Sequence, residues 1–329
     1  PKPLLLGSVS ASNASDWAPA TGAPVGTWAA NLSKLWGQSA GPDGTIAPVR
    51  EWLSDIGNVV VLGQPERAAV KVWSPSELAR QTQPAFYYNY TQSHATGAGS
   101  DQLLFFSPAG NPALVHSAGI ECMVKTRGYW GAEAITVTGV TDVVVEDLAV
   151  QFANSGMRIG GATGATRIIV RRLDISWIGG GCLVPGPRWP RNPLECTRSG
   201  NGIEISEFEK YDDKTPVDSR IELYGNRLWE VYDAAMSPQG SSFYVQSQIR
   251  VHHNVVFNSE YCFEIWSQGL ANESILHNVS FVSNTCYNSG GGWSHAVRPD
   301  PSGRGICSFT NSGNTSNIWI VSRTIIVGI

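Results

Sequence analysis

The chain is short of charge. Asp, Glu, Lys and Arg make up 15% of its 329 residues, with 27 acidic side chains against 23 basic ones. That balance gives no basic face, which argues against nucleic acid as a partner. Long apolar runs are missing as well. Nothing approaches the roughly 20 residues that span a bilayer, so no membrane role is expected. Pro1-Lys2-Pro3-Leu4-Leu5-Leu6 is too short for a secretory leader, a reading compatible with a mature product whose leader has been removed. No two of the six cysteines (Cys122, Cys182, Cys196, Cys262, Cys286 and Cys307) stand at CxxC spacing, so a zinc site is not expected and no metal ligands are assigned.

What is present points outside the cell. An even cysteine count, few charges and six Asn-x-Ser/Thr sequons, at Asn13, Asn31, Asn89, Asn272, Asn278 and Asn314, together predict a secreted glycoprotein with disulfides. Cys182 and Cys196 bracket LVPGPRWPRNPLE, which reads as a protruding loop pinned at its base by a disulfide.

The second half of the chain repeats. Six ten-residue blocks align: TDVVVEDLAV from 141, TRIIVRRLDI from 166, SRIELYGNRL from 219, SQIRVHHNVV from 247, HNVSFVSNTC from 277 and SNIWIVSRTI from 316. Their third and fifth positions are apolar throughout: Val143/Val145, Ile168/Val170, Ile221/Leu223, Ile249/Val251, Val279/Phe281 and Ile318/Ile320. Alternation of period two buries one face of a strand. The blocks start 25, 53, 28, 30 and 39 residues apart, the 53 being two turns or one turn carrying the Cys182–Cys196 loop. Self-similarity on that scale, all strand and without a fixed leucine spacing, predicts a solenoid of parallel strands. The eighth block position is Asn226, Asn254 and Asn284 in three successive blocks, which predicts asparagines bonding from coil to coil at a turn.

On these blocks the chain resembles the right-handed parallel β-helix superfamily of pectate-lyase-like proteins, most of which act on polysaccharides. The resemblance covers about 115–329. It implies an all-β solenoid over 115–329 and an irregular capping segment over 1–114, whose short strands include DIGNVVVLG (55–63), AFYYNYT (85–91) and LLFFSPAGNPALV (103–115). A cap is expected because an uncovered coil exposes core and backbone edge. By the same reasoning the final apolar IIVGI predicts a partner, or more chain, over the C-terminal coil.

A carboxylate in the apolar run YCFEIW (261–266) has to face outward or be put to use, because a buried unpaired Glu costs several kcal/mol. Aligning WEVYDAAMSPQG (229–240) with FNSEYCFEIWSQG (257–269) on their shared Gln-Gly sets Gln239 beside Gln268, Tyr232 beside Tyr261 and Asp233 beside Cys262. Phe263 and Ile265 then point inward, and Cys262, Glu264 and Trp266 outward. In that register Asp233 and Glu264 have Cα atoms on the order of 8 Å apart, within the reach of two carboxyls that flank a glycosidic bond. Glu204, Asp233, Glu264 and His295 recur at 29, 31 and 31 residues and form a column on one face. Tyr232, Trp266 and Trp293 line it, with Gln268 and Arg298 beside them. Gly290-Gly291-Gly292 would let a substrate lie close to the backbone. Each residue also has a plain structural reading: Glu204 and Glu264 as surface groups, Asp233 as a turn cap, His295 and Arg298 as loop residues, the tryptophans as core.

The column predicts a glycoside hydrolase acting on a plant- or algal-type polysaccharide or oligosaccharide. Asp233, Glu264 and His295 are its catalytic candidates. Glu204, Tyr232, Trp266, Gln268, Trp293 and Arg298 are its substrate contacts, and no cofactor is needed. A polysaccharide lyase on a uronate polymer is the alternative. It would use His295 with Arg298 and normally Ca²⁺, but no tight Asp/Glu cluster stands ready for the ion. Asp212-Asp213 lies in a loop with Glu207, Glu209, Lys210 and Lys214. An epimerase and a non-catalytic glycan-binding stalk remain further alternatives. A stalk would have more uniform coils, and loops over a regular scaffold are where function sits.

Overall fold

The six sequence blocks become the six neighbours of one parallel sheet, in register. In the computed structural model, Val143, Ile168, Ile221, Ile249, Val279 and Ile318 pair in turn across strands Thr141–Glu146, Thr166–Arg171, Val217–Tyr224, Val245–His252, Ile275–Val282 and Asn314–Ile320. The structure describes residues 1–31, 39–40, 46–47, 53–63, 65, 67–88, 102–126, 133–160, 164–184, 197–206, 217–241, 245–268, 275–298, 301–310, 314–320 and 324–328. The 53-residue step is a single turn, because Thr166 pairs directly with Ser219.

Two further parallel sheets run alongside. One joins Glu133–Val137, Ser155–Ile159, Ile203–Ser206, Ala234–Ser241, Tyr261–Gln268 and Arg304–Thr310. The other joins Leu4–Leu6, Ala149–Gln151, Asp174–Ile178, Arg227–Val231, Val255–Phe257, Thr285–Tyr287 and Ile325–Val327. From residue 133 onward, apart from the antiparallel hairpin Gly181–Val184 with Thr197–Ser199, each successive triplet of strands adds one strand to each sheet. The inward side chains of all three share one core, including Met157, Ile175, Ile221, Leu228, Phe263 and Phe281. Phe263 and Phe281 stack there with ring centroids 4.4 Å apart. Cys262 also points into this core, bonded to Cys286, where simple alternation had placed it outward.

The chain turns at matching places in each triplet. The second block residue is left-handed in five blocks: Asp142, Arg167, Arg220, Gln248 and Asn278, with φ between 54° and 60°. Such backbone costs of order 1–3 kcal/mol per non-glycine residue, and stacking holds it by fixing each turn against the next. The asparagine column is one such restraint. Asn226 Nδ2 donates to Asn254 Oδ1 at 2.9 Å, and Asn254 Nδ2 to Asn284 Oδ1 at 2.9 Å.

The N-terminal part builds separate sheets. Leu53–Val61 pairs antiparallel with Ile120–Thr126, and Gln102–Phe106 antiparallel with both Thr27–Asn31 and Ala85–Tyr87. Its core, with Ile56, Phe86, Leu103 and Phe105, also takes in Cys182. It is tied to the later chain by Leu4–Leu6 in the parallel sheet, by a cluster of Val60, Met123, Phe152 and Trp177, and by polar contacts. Arg198 donates to the carbonyls of Gly57 and Gly180, and the fully buried pair Lys71–Asp55, at 2.7 Å, receives the Cys182 amide on Asp55. Cys182 is disulfide-bonded, and Cys122 and Cys307 are free thiols. Cys196 and the acidic loop with Asp212-Asp213 lie outside the described residues. No helix among the described residues is long and apolar enough to cross a membrane.

Candidate active site

The sheet that contains YCFEIW carries a polar column on the side opposite the core. Glu204 pairs with Ser237, Ser237 shares the register of Glu264, and Glu264 pairs with Cys307. Arg158 precedes Glu204 in the same row. Two residues further along each strand, Ser206, Gln239, Trp266 and Phe309 form a second row. Glu204 and Glu264 are two strands apart, on the order of 10 Å between backbones.

This register differs by two residues from the one expected from the shared Gln-Gly. Gln239 pairs with Trp266 and Ala234 with Tyr261, so Asp233 is level with Glu260 and not with Cys262. Spacings of 33, 27 and 43 residues replace the expected 29, 31 and 31. Ser237 therefore takes the place in the column expected for Asp233, and Cys307 the place expected for His295.

Glu264 faces away from the core yet is 5% exposed. Its carboxyl accepts from Ser237 Oγ at 2.9 Å and Gln239 Nε2 at 3.2 Å. Burial pushes its pKa up to about 8. The negative charges of Asp233 and Glu204 reinforce the rise, while the Ser237 hydrogen bond and Arg298 oppose it. Glu204 is equally buried. Ser206 Oγ donates to its Oε1 at 2.5 Å and Asn201 Nδ2 to its Oε2 at 2.6 Å. Burial outweighs those bonds and pushes Glu204 up to about 7.

Asp233 lies at the bend before Ala234–Ser241. Arg298 Nη1 lies 3.2 Å from its Oδ1, an ion pair. Arg298 itself is buried. It donates to the Tyr232 carbonyl at 2.9 Å and lies 5.2 Å and 5.3 Å from the ring centroids of Tyr232 and Tyr261.

The other candidates spread around this centre. His295 Nδ1 is 3.0 Å from the carboxyl of Glu260, not of Glu264. Glu260 also accepts the Ser302 and Gly303 amides, which together with His295 and Arg298 hold its pKa below the ordinary value against burial. Tyr232 is buried, its ring within 4.9 Å of Arg198 and 5.4 Å of Trp293. Trp293 is anchored by its amide to Glu230 Oε2 and by its indole N–H to the Glu230 carbonyl. Trp266 shares the Glu264 face and is partly exposed. Gln268 ends its strand opposite Ser241, and its side chain lies outside the described residues. The three glycines make room for protein. A Cβ on Gly292 would meet the Asn258 carbonyl at 2.1 Å, and one on Gly291 the Asn288 amide at 1.8 Å.

Sequence reasoning missed Ser237, Gln239, Ser206, Asn201 and Arg158. The signal was there in part. Glu204/Ser206 and Ser237/Gln239 each place polar groups at i and i+2 within short apolar strands, on one face. Among the described residues no group of three His, Cys, Asp or Glu side chains is placed to hold a metal ion.

No family model matches the sequence, and no curated protein matches it. Among solved structures, the complex of XylC with xylose aligns with 12% identity and a TM-score of 0.43, over 87% of this chain and 53% of that one. This chain thus spans about half the length of that protein, and the likeness is too slight to carry an argument.

Proposed function

We propose that this chain is a right-handed parallel β-helix with a capping N-terminal segment, and that it is a secreted carbohydrate-active enzyme, a glycoside hydrolase. What supports the helix is the regular order of strand triplets across three parallel sheets around one core. What carries the hydrolase is one contrast. Two carboxyls close enough for the charge of Asp233 to act on Glu264 have contrasting surroundings, Glu264 buried with its pKa pushed up to about 8, Asp233 paired with Arg298. Carboxyls separated in that way take the acid and base roles of glycosidic cleavage.

Glu264 then gives its proton to the glycosidic oxygen as the C–O bond breaks, and that oxygen keeps the bonding pair. Asp233 supplies the opposing electron pair, to the anomeric carbon or through a water that it deprotonates. The anomer first released distinguishes the two routes. Trp266 offers an aromatic face beside Glu264. His295 stays with Glu260 and takes no step. A lyase would need a cation for the uronate carboxylate. Arg298 and Arg198 already serve Asp233, Tyr232, Gly57 and Gly180, which favours the hydrolase and a neutral sugar at the cleaved bond.

The test is a screen of plant and algal polysaccharides with product analysis. New reducing ends without ultraviolet-absorbing products support the hydrolase. An absorbance rise on uronate polymers that EDTA suppresses would replace it with the lyase.

A further inference from the structure

We propose that the working proton of Glu264 sits on Oε1, and that Ser237 and Gln239 are the positioning residues that put it there by occupying Oε2. The location of the proton stands by itself. Its use as the catalytic acid rests on the hydrolase reading.

A carboxyl oxygen has two lone pairs. Both side-chain hydrogen bonds that Glu264 accepts among the described residues end on Oε2, from Ser237 Oγ at 2.9 Å and Gln239 Nε2 at 3.2 Å. Gln239 Nε2 is also 3.2 Å from Ser237 Oγ, so the three polar atoms form a closed triangle. The Ser237 hydroxyl and the Gln239 amide both donate to Oε2, which leaves that oxygen no lone pair for a proton of its own. The trio is fixed from outside, because Gln246 Nε2 donates to the Gln239 carbonyl at 2.7 Å and to the Ile205 carbonyl at 3.1 Å. Ser237, Gln239 and Gln246 are all buried, so water does not compete for these bonds. The charged and titratable groups acting on Glu264 are Asp233, Glu204 and Arg298, with the Cys307 thiol beside it in register. Turning the Gln239 amide over would bring its oxygen against Oε2 and move the proton there, so the two arrangements are distinguishable.

The probe is the carbonyl stretch of protonated Glu264, read by infrared difference spectroscopy of the whole chain at pH 6 and identified as the band that Glu264→Gln removes. With the proton on Oε1, the carbonyl is Oε2 and feels both donors. Ser237→Ala and, independently, Gln239→Ala then move the band to higher frequency, and Ser237→Thr restores it. Ser237→Ala also moves the titration midpoint of the band upward, because the lost bond favoured the charged form. A band that stays in place in whichever of the two alanine variants folds would overturn the proposal, as would the absence at pH 6 of any band that Glu264→Gln removes. If the band shifts as expected and no polysaccharide is cleaved by the wild type, the hydrolase reading fails while the proton keeps its place.

Discussion

Asp233 and Arg298 form an ion pair at 3.2 Å although 65 residues separate them in the chain. The contact ties the bend before Ala234–Ser241 to the Gly-rich segment before Arg304–Thr310, the strand two places on in the same sheet. It gives Asp233 a cation partner, while burial pushes the pKa of Glu264 up to about 8. Replacing Arg298 by Met should lower kcat/KM on a cleaved substrate at least tenfold. It should also destabilise the fold by about 3 kcal/mol, the cost of breaking a largely buried pair from one side. Arg298→Lys should recover stability better than activity, because a single ammonium does not reproduce the guanidinium's planar contacts with two tyrosines. Denaturant unfolding and steady-state kinetics on the same samples separate the two effects.

Glu264→Gln and Asp233→Asn should each lower kcat by about 10²–10⁴, the contribution of one positioned acid or base. Circular dichroism should show the folded spectrum in both. Wild-type turnover in either variant removes that residue from the site.

Stability should fall as pH rises from 5 to 8. Glu264 and Glu204 hold their protons in the folded chain up to about 8 and about 7, whereas in the unfolded chain they ionise near 4.3. Over that window the folded state binds more protons, so raising pH favours unfolding, by up to about 1.4 kcal/mol per pH unit for each group. The effect fades as pH falls through the unfolded-state pKa, below which both states are protonated. Thermal melts across the range should show the decline, and Glu204→Gln/Glu264→Gln should flatten it.

Asn254→Ala should destabilise by about 3 kcal/mol or more. The side chain accepts from the Asn226 amide and Nδ2 and donates to the Asn284 Oδ1 and the Leu223 carbonyl. Its loss orphans several buried groups at about 1–3 kcal/mol each. Arg227→Ala, which removes an ion pair with Asp174 from a largely exposed side chain, should cost less than about 1 kcal/mol. Equal costs for the two would mean that the asparagine column is not a main restraint on the stack.

The repeat sheet was legible because its signal is local. Val143/Val145 and their counterparts alternate with period two, and a one-residue slip would turn every one of them out of the core. The asparagines announced themselves by recurring at one block position. Glu264, Glu204, Arg298 and Trp266 could be picked out as unusual side chains in apolar or turn surroundings, and they do gather on one side of one sheet or at its margin.

The composition of the polar column was not legible. Sequence spacing stands in for register only if every turn has the same length, and here loops of different size set the register steps at 33, 27 and 43. The shared Gln-Gly was therefore a false anchor: it shifted Asp233 by two residues and hid Ser237. By itself the sequence determined the period, the inward face and the presence of uncommon carboxylates, since each depends on residues a few positions apart. Only the tertiary structure decided which carboxyl keeps its proton and which meets a cation. Those states depend on burial and charges supplied by other strands, at distances that chain position does not encode.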